Sequence, residues 1–212
     1  MEFVNCSEIK PYLLVHITAE EILKEIEKSN GFKESKHDLE HFKNEWLGDG
    51  VYFWDGNDEV AIDFGKNMIS KKVEFKNKKL IAIYVNVDIA SNNYINLEES
   101  EERNDFYEFI LIHNPENGQQ TIDIMEMLRK RKYINKRDLA DVGKFLGDYI
   151  NAYSKYLLKN FGEEIKMVSC YFFHKKNELY PFARGELAIR QFCVKDVEFL
   201  NQGINDWKIV NL

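Results

Sequence analysis

The sequence predicts a single α+β domain, and three observations carry that prediction. Strand-like runs are separated by stretches of helical periodicity, strand patterns are denser in the C-terminal half, and no repeat, low-complexity segment or linker divides the chain. The 212 residues are 44% hydrophobic and 14% aromatic, enough to bury a sizeable core in one unit. A formal charge of -7 argues against a surface built to grip nucleic acid along its length, while local basic patches stay open. Cys6, Cys170 and Cys193 are far apart and form no CxxC pair, so neither a disulfide framework nor a zinc site is expected. No run approaches the roughly 18 apolar residues of a membrane span, and the N-terminus lacks a basic region followed by an apolar one. The expectation is therefore a reduced, cytoplasmic protein with no membrane partner.

Taken in order, Tyr12-Leu13-Leu14-Val15 has strand character and delivers His16-Ile17-Thr18 at its end. Thr18 and Glu21 fit a capping box, Ile22, Leu23 and Ile26 supply an apolar helical face, and Gly31 stands where such a helix would stop. Lys33 to Lys43 reads as a polar loop carrying His37 and His41, a four-residue spacing that makes half a metal site without a third ligand.

Trp46 to Trp54 follows, and nowhere else do glycines, an apolar run and aromatics coincide in so few residues. Gly48 and Gly50 flank Asp49 in a pattern suited to a tight turn, and Val51-Tyr52-Phe53-Trp54 favours a strand. Asp55 to Asp58 ends that strand, with Asn57 or Asp58 as N-cap of a helix whose apolar face is Val60, Ala61, Phe64 and Met68. A turn, an aromatic strand and a helix in that order suit a clamp for a flat ring.

Leu80 to Val87 reads as a buried strand, and Asn96 to Glu108 as an acidic, solvated loop and helix start. Gln119 to Lys132 has a helical pattern that runs into a basic stretch from Arg129 to Arg137. Cations at a helix C-terminus suit its dipole, and the same cluster suits contact with phosphate. Leu139 to Leu157 marks a long amphipathic helix ending at Gly162. Met167 to Phe173 and Leu187 to Val194 read as strands around a loop at Asn177 to Gly185, and Val197 to Leu200 closes the domain.

A strand ending in His-x-Thr, a helix, then Gly-x-Gly-Val-Tyr-Phe with a helix behind it, and late strands preceded by a glutamate: this order resembles the ADP-ribosyltransferase superfamily. More narrowly it resembles the His, Tyr, Glu branch shared by diphtheria-type toxins and poly-ADP-ribose polymerases. The resemblance covers the two N-terminal motif regions, the strand from Leu80 and the last strand region, and leaves out roughly residues 98 to 164.

It implies a split pair of antiparallel sheets with flanking helices, one domain over residues 1 to 212 with a helical insertion at about 119–162, and NAD bound as substrate between the sheets without a metal. The implied reaction transfers one ADP-ribose to a macromolecular acceptor, protein, RNA or DNA, and releases nicotinamide. A bacterial toxin or defence protein would fit, with an antitoxin or regulatory partner open. By the same resemblance His16 and Thr18 hold the adenosine-side ribose, Ile17 offers backbone to the nicotinamide amide, Tyr52 stacks on the nicotinamide ring, and Gly48, Gly50, Val51 and Phe53 complete the site. The carboxylate that would offset charge developing on the sugar has two registers. In one it is Glu186, in Ala183-Arg184-Gly185-Glu186-Leu187. In the other the position falls on Gln191, which can hold a hydroxyl and supplies no charge. A catalytically silent NAD or ADP-ribose binding module is the alternative reading.

Overall fold

The computed structural model describes residues 7–36, 45–129, 136–175, 186–203 and 206–212. Its centre is strand β1 (Ile9–Ala19), longer at both ends than the apolar run at its heart. Helix α1 (Glu20–Lys28) follows at once, so Thr18 is not its cap: the N-cap residue is Ala19 and no side chain caps it. The expected capping box gives way because β1 pairs along its whole length with β3 (Leu80–Ala90), Ile9 opposite Ala90 and Ala19 opposite Leu80. Eleven long-range pairs outweigh one local capping bond. Pro11 is tolerated in this strand because β2 (Val51–Asp55) meets β1 only further along, at Leu14 and Val15.

Helix α2 (Glu59–Ser70) begins as the sequence predicts, with the Asp58 carboxylate accepting from the Val60 amide. A short strand β4 (Tyr94–Asn96) leads to helices α3 (Ser100–His113), α4 (Gly118–Arg129) and α5 (Lys136–Phe161). Strands β5 (Met167–Lys175) and β6 (Glu186–Val194) come next, then a short helix α6 (Val197–Asn201) at the closing segment and an edge strand β7 (Lys208–Asn211). The basic stretch expected at the end of α4, the histidine pair His37 and His41, and the loop from Asn177 lie largely outside the described residues.

The result is α+β, with a seven-stranded mixed sheet in the order β4-β5-β6-β2-β1-β3-β7 and helices on its faces. Among the described residues only β4 and β5 run parallel. The sequence expectation was a split pair of antiparallel sheets; the strands instead form one hydrogen-bonded sheet because β2 pairs on both edges. The join is uneven. Four residue pairs link β2 to β6, whereas only Leu14–Asp55 and Val15–Trp54 link it to β1. Two well-zipped halves thus meet at a two-pair seam.

Each face has its own core. Helices α3, α4 and α5 pack Phe106, Ile110, Met125 and Leu146 against Val168 of β5 and Cys193 of β6. Helix α2 covers Val15, Ile17 and Trp54 further along. On the opposite face Leu14, Phe53, Ile83 and Phe192 pack with Ile26, Phe32 and Leu200. Burial of this kind contributes about 1.5–3 kcal/mol per large apolar side chain.

Candidate functional site

A cavity of about 810 Å³ opens where the β1–β2 ladder ends, bounded by α1 and α2. Its size falls within the range of small-molecule and cofactor sites. Past the Val15–Trp54 pair, the structure links the two strands through a side chain: His16 donates from Nδ1 to the Tyr52 carbonyl oxygen at 2.9 Å. A carbonyl only accepts, so Nδ1 carries the proton and Nε2 is left as an acceptor. Burial, opposed by the Tyr52 hydrogen bond and assisted by the charge of Lys72, lowers the His16 pKa from 6.5 and keeps the ring neutral. Phe32 and Phe53 meet the imidazole edge-on, at ring centroid distances of 5.1 and 5.7 Å.

The turn before β2 is held by its neighbours. Tyr52 accepts at its hydroxyl from the Leu47 amide at 2.9 Å and donates to the Gly48 carbonyl at 2.8 Å. Burial drives its pKa far up, so the phenol stays a donor. On α5, Asn151 Oδ1 accepts from the Asp49 amide at 2.9 Å and from the Lys195 ammonium at 3.0 Å; that ammonium also donates to the Asp49 carbonyl. Burial lowers the Lys195 pKa. The two glycines are explained by this clasp. A Cβ at Gly48 (φ +79) would stand 2.2 Å from Asn151 Oδ1, and one at Gly50 (φ +149) 2.5 Å from Cys193 Sγ and 2.6 Å from the Val194 carbonyl oxygen. Close approach of backbone to β6 and α5 therefore accounts for both.

Of the residues singled out from sequence, His16, Ile17, Gly50, Val51, Tyr52 and Gln191 all line the cavity. Thr18, Gly48 and Phe53 do not. Thr18 is buried opposite Ile81, and Phe53 is a core residue. Gln191 stands in register with Trp54 of β2 and Cys170 of β5. Glu186 begins β6 opposite Lys175, five positions along the strand from Gln191, and its side chain lies outside the described part. At about 3.4 Å per residue the two backbone positions are about 17 Å apart.

The aromatic clamp read from the sequence contributes walls that were not assigned as site residues. Trp54 and Phe64 meet edge-to-face at 5.7 Å, and Trp46 meets Phe172 in the same way at 5.2 Å. The apolar face of α2 was the one local signal for Phe64. Phe172, Lys33 and Lys72 reach the cavity through tertiary contacts only. Among the described residues no group of three or more His, Cys, Asp or Glu side chains could hold a metal ion, and no helix is long and apolar enough to cross a membrane. The arrangement offers flat aromatic walls, a neutral histidine acceptor and an uncharged amide in one recess. Comparison with protein-family models, with curated proteins and with solved structures found no match.

Proposed function

We propose that the chain is a mono-ADP-ribosyltransferase that binds NAD in the cavity at the β1–β2 seam and transfers ADP-ribose to a macromolecular acceptor, protein or nucleic acid. One observation carries the reading: His16, Tyr52 and Gln191 line a single cavity, Gln191 being the triad position in one of the two registers that the resemblance allows and Glu186, whose side chain lies outside the described part, in the other.

In this reading the residues divide the work. Nε2 of His16, left free to accept by the bond from Nδ1, takes a ribose hydroxyl. The aromatic planes of Tyr52, Trp54 and Phe64 supply flat contact area at low entropic cost. Bound NAD supplies the ADP-ribosyl group, with nicotinamide as the leaving group. Gln191 holds a ribose hydroxyl by its amide and contributes no negative charge to offset the sugar's positive charge. A bacterial toxin or defence role, with an antitoxin or other regulator as partner, accords with the resemblance and belongs to the same proposal.

The uncharged Gln191 on the cavity wall favours a second reading, an NAD or ADP-ribose binding module that regulates without transfer. Release of nicotinamide from NAD by the purified protein, with and without protein or RNA acceptors, separates the two. The transferase reading expects release that depends on acceptor and is lost in His16→Ala and Gln191→Ala. NAD binding with no release under any condition would replace it by the binding module.

A further inference from the structure

We propose that Arg190, on the sheet face opposite α3, α4 and α5, anchors an oxyanion site that takes a phosphate or carboxylate group of a small-molecule ligand. The site is separate from the cavity and independent of the NAD reading. Successive side chains on a strand leave opposite faces, so Gln191 lines the cavity while Arg190, beside it on β6, shares the other face with Phe192. Three aromatic rings hold the guanidinium. Its central carbon lies 4.8 Å from the ring centre of Phe192, 5.6 Å from that of Tyr171 and 5.9 Å from that of Tyr12. Tyr171 stands opposite Arg190 in the β5–β6 ladder, and Tyr12 reaches across from β1 past the end of β2.

The charge of Arg190 is left unanswered within the chain. Its Nη2 donates to the Tyr94 hydroxyl at 2.7 Å and to Ser169 Oγ at 3.2 Å. Tyr94 and Ser169 are themselves hydrogen-bonded at 2.5 Å, and the Ser169 hydroxyl donates onward to the Asn96 amide oxygen at 3.4 Å. Every acceptor in this network is neutral. Among the described residues no carboxylate stands at ion-pair distance from Arg190. Asp55 follows Trp54 in the β2–β6 register, and its carboxylate accepts instead from the Asn57 amide. Two edges of the guanidinium remain. Nε is closed off from solvent without a partner, whereas Nη1 is not closed off and has no partner among the described residues. Aromatic faces attract a cation but carry no countercharge, and a charge withdrawn from water is ordinarily paired. An oxyanion at Nη1 supplies the missing charge, on a group whose plane and position are fixed before the ligand arrives. The half-buried Tyr12 and Tyr171 rings offer flat contact to the remainder of such a ligand.

Thermal denaturation of the full chain in inorganic phosphate and in acetate, against sodium chloride at matched ionic strength and pH, tests the site. Wild type is expected to show a saturable stabilisation by at least one of the two anions. Arg190→Lys keeps the charge but loses the planar fork, and is expected to weaken that binding about tenfold; Arg190→Met is expected to abolish it. A response to phosphate alone assigns a phosphate ligand, a response to acetate alone a carboxylate, and a response to both an oxyanion of either kind. A second measurement needs no folded Met variant. The Arg190 Nε–H resonance of the wild type, assigned by its absence from Arg190→Lys, should shift saturably as the anion is added. No saturable response of wild type to either anion, an unmoved Arg190 resonance, or a response retained in Arg190→Met overturns the site and leaves the NAD reading untouched.

Discussion

His16 Nδ1 and the carbonyl oxygen of Tyr52 lie 2.9 Å apart, and their hydrogen bond joins β1 to β2 where the backbone ladder between them has ended. The bond orients the imidazole, selects its tautomer and ties together the two segments that carry the family resemblance.

Because His16 is buried with a lowered pKa, it links stability to pH. Well above 6.5 the ring is neutral in both folded and unfolded chains and adds no slope. As pH falls below 6.5 the unfolded chain binds a proton that the folded one resists, so stability decreases until the folded pKa is passed. Urea denaturation across that range is expected to show this acid-side loss, and a His16→Gln variant a shallower one. An unchanged slope in the variant would show that His16 is not the group responsible.

Gly50→Ala is expected to destabilise the protein by at least about 2 kcal/mol, through left-handed backbone strain and a collision with β6. The new Cβ meets the Val194 carbonyl, which cannot swing aside as a side-chain tip would. Thermal denaturation of wild type and variant gives the difference, and a loss within about 0.5 kcal/mol would mean that the turn relaxes freely.

Asn151→Ala removes the shared acceptor of the Asp49 amide and the Lys195 ammonium. A cost of about 1–3 kcal/mol is expected, since the half-buried Asp49 amide loses its acceptor while the Lys195 ammonium keeps the Asp49 carbonyl. Asn151→Asp keeps an acceptor and adds a charge beside the ammonium, so chemical denaturation should place it closer to wild type. Equal losses in both variants would mean that shape, and not hydrogen bonding, holds the turn.

Tyr52→Phe leaves the Leu47 amide without its acceptor and takes the hydroxyl from the Gly48 carbonyl, which keeps the weaker Cys193 thiol. The expected cost is about 1–3 kcal/mol, with the ring still lining the cavity. Faster hydrogen exchange at the Leu47 amide is the direct check.

Gln191→Glu puts a carboxylate where one of the two registers of the family resemblance has one. If charge on the sugar limits turnover, nicotinamide release should rise about tenfold or more. A fall in release would show that the amide itself is required.

Much of this could be read from local sequence, and the rest depends on long-range pairing. The Asp58 cap, the Gly48–Gly50 turn and the helix ending before Gly162 are short-range patterns, and each appears in the structure. Thr18 was misread because a capping signal is local while the β1–β3 ladder is not. Strands β4 and β7, three and four residues long, have no pattern of their own and exist by pairing with β5 and β3. The choice between Glu186 and Gln191 is a matter of register, and the β2–β6 ladder brings Gln191 opposite Trp54. No local spacing could have supplied that. Lys72 escaped notice because it sits beyond the end of an ordinary amphipathic helix.

The most direct test of the account follows label from the adenine half of NAD into macromolecules after incubation with purified protein and total protein or RNA. The account predicts acceptor-bound label, accompanied by free nicotinamide and abolished by His16→Ala in a variant shown to be folded. No label, no nicotinamide and no NAD binding by the folded wild-type protein would contradict it.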